Sequence, residues 1–172
     1  KFSGKPFVSV SIGSGANTNV LGQDNFYLQD GPNYFGFKKV GVPNAPLQPY
    51  SYATSWDRQE SKNVLNAFYT LSGGKKFNIN DESSIGTFIT GSFSAKNKYT
   101  QGYSRGGITS DGDIFSDFVR TAYKHNTTTT VMGTADYKIN NKNSIFFTSL
   151  FLNSSDQDYS EYEGTNQNFD GG

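Results

Sequence analysis

Between about Val64 and Leu152, three segments of the chain change face on every residue. In the first, Leu65, Ala67, Tyr69, Leu71, Gly73, Phe77 and Ile79 alternate with Asn66, Thr70, Ser72, Lys76 and Asn78. In the second, Ile85, Ile89, Phe93 and Ala95 stand against Ser84, Thr90, Ser92, Ser94, Lys96 and Lys98. In the third, Val131, Ala135, Tyr137 and Ile139 stand against Thr130, Thr134, Asp136 and Lys138. Period-two alternation marks strands with one apolar and one polar face. The runs reach roughly 13 to 17 residues, where strands of soluble domains usually have about 5 or 6. Long antiparallel strands, oily outside and wet inside, predict an all-β chain that forms a segment of a transmembrane β-barrel.

The pattern predicts five strands, near residues 7–20, 63–79, 84–103, 118–139 and 144–153. Val8, Val10 and Ile12 share one face of the first. The run Thr127 to Thr130 is β-branched and favours extended chain in the fourth. The fifth is apolar on both faces, which leaves its register open. Asn80 to Ser83 and Asn140 to Asn143 read as tight turns. Residues 21–60 hold four of the five prolines (Pro32, Pro43, Pro46 and Pro49) and many aromatics, and predict a long external loop with structure of its own or, equally, a soluble subdomain or short hairpin built around Tyr34-Phe35-Gly36-Phe37. Arg105 to Gly112 reads as a Gly-rich loop, and the acidic tail from Ser154 as the start of another. Short turns on one side and long loops on the other are the asymmetry of outer-membrane barrels, which would put the two tight turns in the periplasm.

Charge follows the same parity. Within 63–79, 84–98 and 118–139 the charged residues are Lys75, Lys76, Lys96, Lys98, Arg120, Lys124, Asp136 and Lys138, and all but Lys75 are even-numbered. A charge facing lipid near the midplane costs roughly 2–4 kcal/mol. A soluble sandwich would also keep charges off its packed face, so this bias argues for one-sided strands more than for lipid. On the barrel reading, Leu65, Leu71, Ile85, Ile89, Phe93, Val131 and Ala135 face lipid, and Lys76, Lys96, Lys98, Arg120 and Asp136 face the lumen. Hydrophobic residues make up only 34% of the chain, too few for membrane helices, yet sufficient for a barrel in which alternate residues meet lipid. Fifteen basic residues balance fifteen acidic ones, so nothing points to nucleic acid. Cysteine is absent, which excludes disulfides, thiolate metal sites and thiol catalysis.

Two stretches resemble the barrel of TonB-dependent outer-membrane receptors of the kind abundant in Bacteroidota. Asn33-Tyr34-Phe35-Gly36-Phe37 resembles the aromatic-Gly-Phe element that follows an early barrel strand there, although Lys38 and Lys39 stand where that family continues with acidic residues. The run from His125-Asn126-Thr127 to Ala135-Asp136-Tyr137-Lys138-Ile139-Asn140, followed by Leu150-Phe151-Leu152-Asn153-Ser154-Ser155, is similar to the family's strand, tight turn and strand. The resemblance implies a barrel of about 22 strands, a plug domain and a TonB-contacting segment outside this chain, and placement in the outer membrane of a Gram-negative bacterium. It implies outer-membrane lipid and TonB as partners, with a surface lipoprotein as a further one, and import of a nutrient such as a glycan, peptide or metal chelate. About five strands make an arc of such a barrel, so the chain is expected to be a fragment.

No nucleophile elbow, zinc-protease or phosphate-loop motif occurs, and no enzyme, cofactor or metal is expected. The single histidine, His125, reads as a satisfied or rim-exposed strand residue. Asp156, Asp158, Glu161 and Glu163 read as a solvated loop, with a calcium site as the alternative. Tyr34, Phe35, Phe37, Tyr50, Tyr52 and Trp56 are the candidate ligand surface of the external loop, since flat aromatics bind apolar-faced solutes; packing of the loop against itself or the barrel rim is the plainer alternative. Two rival classes remain: a soluble or surface-attached β-sandwich that binds glycans or proteins, and a non-transporting barrel serving adhesion or a secretion complex.

Overall fold

A computed structural model describes residues 5–38 and 58–166. The chain is all-β: an antiparallel five-stranded sheet in the order β1-β4-β5-β6-β7, with a separate two-stranded ribbon β2-β3. Among the described residues the strands are β1 (Phe7–Gly15), β2 (Tyr27–Gln29), β3 (Arg58–Glu60), β4 (Asn66–Asn78), β5 (Ser84–Ile108), β6 (Ile114–Lys138) and β7 (Ser144–Asn166), with one short helix, α1 (Thr18–Leu21). The sheet is not closed on itself.

The register settles which residues share a face, because directly paired residues point the same way. Tyr69, Phe93, Thr129 and Asn153 form one cross-strand row, and Leu71, Gly91, Val131 and Phe151 another. Odd-numbered positions of β4 to β7 therefore lie on one face. Val8, Val10 and Ile12 of β1 join them opposite Gly73, Leu71 and Tyr69. In β7, Ile145, Phe147 and Phe151 belong to this face, while Phe146, Leu150 and Leu152 lie on the other.

Both tight turns are built the same way. The Asn80 side-chain oxygen accepts from the backbone N–H groups of Glu82 and Ser83, and Asn140 does so from Lys142 and Asn143. Asparagine closes these turns because its carbonyl can mimic a backbone acceptor.

Several strand limits differ from the pattern-based ones. The first strand stops at Gly15 rather than residue 20, because Asn17 caps α1: its side-chain oxygen accepts from the Asn19 N–H, and its carbonyl accepts from Val20 and Leu21. The Gly-rich loop expected at 105–112 is strand on both sides of a turn at Thr109–Asp113, where the Thr109 N–H donates to the Asp113 carbonyl. The tail expected to leave the sheet near residue 154 remains paired with β6 as far as Asn166. These outer stretches lack apolar alternation; cross-strand pairing to a partner already in place extends them. The carboxylates of Asp156, Asp158, Glu161 and Glu163 thus stand on a strand, with Asp158 in an ion pair with Lys124 and Glu161 with Arg58.

Among the described residues, only one end of the odd face is covered. Residues 16–38 and 58–65 fold back over the sheet beyond the Ala67–Ala95–Thr127–Ser155 row, on the side away from the Asn80 and Asn140 turns. There Val20, Phe26 and Leu28 bury against Tyr123, whose flanking row-mates are Tyr99 and Tyr159. Phe26 and Tyr27 each meet the Tyr123 ring edge-on at 5.5 Å.

Candidate functional site

The sheet carries two separate groups of candidate residues, one on each face. On the odd face, the turn Asn33–Phe37 is docked where the covering layer meets the exposed apolar rows. Asn33 closes it internally: its side-chain oxygen accepts from the N–H groups of Phe35 and Phe37, and its own N–H donates to the Phe37 carbonyl at 2.9 Å. Three strand side chains then face alternate carbonyls of the turn. Gln157 donates to Pro32 at 2.9 Å, Asn153 donates to Gly36 at 3.1 Å, and His125 Nε2 lies 3.4 Å from the Tyr34 carbonyl. The Tyr34 and Phe35 rings pack on Phe93 at 5.9 and 5.2 Å, and Phe93 stacks in turn on Tyr69.

Gly36 makes this approach possible. Its φ of +81° is open to glycine, and a Cβ there would run into Thr127 Oγ1 and stand 3.0 Å from the Ser155 Cβ.

Behind the turn lies Asn97, 2% exposed. Its backbone N–H donates to the Asn66 side chain at 2.7 Å, its amide nitrogen to the Leu65 carbonyl at 3.1 Å, and its carbonyl accepts from Asn17. With the amide nitrogen so engaged, its oxygen faces His125 Nδ1 at 2.7 Å. That contact requires the ring proton on Nδ1, so a neutral His125 donates to Asn97 and leaves Nε2 without a proton for Tyr34. Burial lowers the His125 pKa from its ordinary 6.5, opposed by the Tyr34 carbonyl, which favours the imidazolium. His125 sits in the covered part of β6, beyond the exposed apolar rows. A cavity of about 450 Å³ adjoins it, walled by His125, Gln157, Tyr34, Leu28 and Lys62.

The even face carries the other group. Lys76 and Asp136 lie in one row with Gly86 between them, and Asp136 is buried. Lys96 and Lys98 are exposed on β5. Lys98 stands opposite Lys124, which pairs with Asp158. Arg120 donates to the Ser160 hydroxyl at 3.1 Å. The register thus brings the five even-face candidates, Lys76, Lys96, Lys98, Arg120 and Asp136, to one side of the sheet.

Tyr34, Phe35 and Phe37 lie on the opposite side from those five; Tyr50, Tyr52 and Trp56 fall outside the described residues. Of the apolar candidates, Leu71, Ile85, Ile89, Phe93, Val131 and Ala135 share the odd face, Phe93 beneath the docked rings. Leu65 precedes β4 at the level of the covering layer, its carbonyl held by Asn97.

Sequence reasoning passed over Asn97, Asn153 and Gln157. Their signal was parity: with His125 they are polar residues at odd positions, where an apolar side chain would be expected. Among the described residues no group of three His, Asp or Glu is placed to hold a metal. Comparison with family models, curated proteins and solved structures yields no match.

Proposed function

We propose that this chain is an arc of an outer-membrane β-barrel of the TonB-dependent transporter kind, which imports a nutrient such as a glycan, peptide or metal chelate. The observation that carries the membrane part is the exposed apolar band on the odd face: Leu71 is 58%, Ile89 61% and Phe147 63% exposed. From Ile79 beside the turn up to Tyr69 the band runs about ten residues, roughly 34 Å of strand. At a tilt of about 40° that is roughly 26 Å of height, near the approximately 25 Å apolar belt of such barrels. Behind it, β4 to β6 present Thr70, Ser72, Ser92, Thr130 and Thr134, side chains suited to a watery interior. Among the described strands β1 and β7 are the outermost, and sheet edges need strand partners in hydrocarbon, which favours a larger closed barrel. The transporter assignment rests on the sequence resemblance, with energy supplied through TonB and ligand passing on the polar face.

A β-sandwich binder is the second reading, because the covering layer does bury part of the odd face. The described residues of that layer leave the band itself open, which favours lipid. Extraction decides between them: the barrel should leave the outer-membrane fraction only with detergent, and a monodisperse detergent-free protein would overturn it. A deletion strain grown on glycan, peptide or chelated iron as sole source should fail on one of them. Normal growth on all three, with lost surface attachment, would favour an adhesive barrel.

A further inference from the structure

We infer that the Asn33–Phe37 turn is a membrane-interface anchor, with Phe35 and Phe37 seated at the boundary between lipid headgroups and acyl chains. This rests on the membrane reading above and adds a lipid contact made by a connecting segment rather than by the strands.

Position is the first argument. The turn lies against Phe93 and Tyr69, in the last row of the apolar band before the covering layer begins. It therefore continues the lipid-facing surface at the level where barrels carry aromatic girdles.

The second argument is exposure on a rigid support. Phe35 is 53% and Phe37 43% exposed, although the backbone that bears them is clamped. Rings held outward on a fixed turn are not core residues, and Lys38, exposed beside them, places a cation where lipid phosphates would lie.

The third argument is backbone satisfaction. Irregular chain is tolerated near hydrocarbon only when its polar groups are paired within the protein. The N–H groups of Asn33, Phe35, Gly36 and Phe37 are all bonded within the turn, and so are the carbonyls of Asn33 and Phe37. The carbonyls of Pro32 and Gly36 accept from Gln157 and Asn153, and that of Tyr34 faces His125. A solvent-facing ligand loop would need no such closure, since water would serve.

The test uses the single tryptophan of the chain, Trp56. In a background with Trp56 and every tryptophan outside this chain changed to phenylalanine, Phe35→Trp reports on the turn and Phe147→Trp on the band. The intact protein is reconstituted in phosphatidylcholine vesicles brominated either near the headgroup or deep in the acyl chain. Phe35→Trp should be quenched at least twofold more by shallow than by deep bromines, with the opposite order for Phe147→Trp. Quenching of Phe147→Trp alone, or deeper quenching of Phe35→Trp, overturns the anchor while the membrane reading stands. If neither is quenched, both fall.

Discussion

Gly36 lies against Thr127 so closely that its missing side chain is a condition of the contact. Thr127 is buried beneath it in the middle of β6, and Asn153 on the next strand donates to the Gly36 carbonyl. One residue without a Cβ thus lets a connecting segment lie flat on a sheet face.

Substituting Gly36→Ala should release the turn. The left-handed backbone costs an L-residue about 1–2 kcal/mol, before the clash with Thr127 is counted. Hydrogen exchange at Phe35 and Phe37 should accelerate at least tenfold while β4 to β7 stay protected. Gly133→Ala is the control: on β6 with nothing near its would-be Cβ, it should leave exchange in the turn unchanged.

Acid should loosen the same turn. The folded pKa of His125 lies below its ordinary 6.5, so the open state binds the proton more readily. Docking is then fully stabilised above about pH 6.5 and weakens as the pH falls from there toward the folded pKa, with no further loss below it. Exchange at Phe35 measured from pH 8 to pH 5 should show this loss of protection after correction for intrinsic rates. In His125→Gln the dependence should vanish; an unchanged profile would assign it to another group.

Removing the Asn97 side chain should leave two buried groups unpaired at once. Asn97→Ala strips partners from the Leu65 carbonyl and from His125 Nδ1. Each buried polar group left unpaired costs about 1–3 kcal/mol. Urea unfolding should show a loss of at least about 2 kcal/mol, and proteolysis should reach the segment around Leu65 first.

Neighbouring substitutions on β6 should differ sharply if the band meets lipid. Val131→Lys places a charge among apolar neighbours on the odd face and should cost roughly 2–4 kcal/mol in vesicles. Thr130→Lys, one residue away, faces the polar side opposite Ser92 and should cost under about 1 kcal/mol. Equal effects at the two positions would remove the basis for lipid on one face only.

Wherever a residue's neighbours could be inferred from its own alternation, the sequence was sufficient. Leu71, Ile89 and Val131 share a face because side chains of a strand alternate with period two, and the asparagine turns at Asn80 and Asn140 signalled themselves by residue type. The even-numbered charges separated from the apolar face for the same local reason. Beyond that reach, only the tertiary structure decided. The strand continues through Asp156, Asp158 and Tyr162 because β6 is there to pair with it, a long-range fact with no periodic signature. In the sequence the aromatic turn at Asn33–Phe37 stands open between a ligand surface and packing against the loop or the barrel rim, until Asn97, His125, Asn153 and Gln157 gather beneath it from three strands. Hydrogen bonds between residues some ninety or more positions apart have no expression in local pattern, and that is why the turn's docking could be seen only once the sheet was assembled.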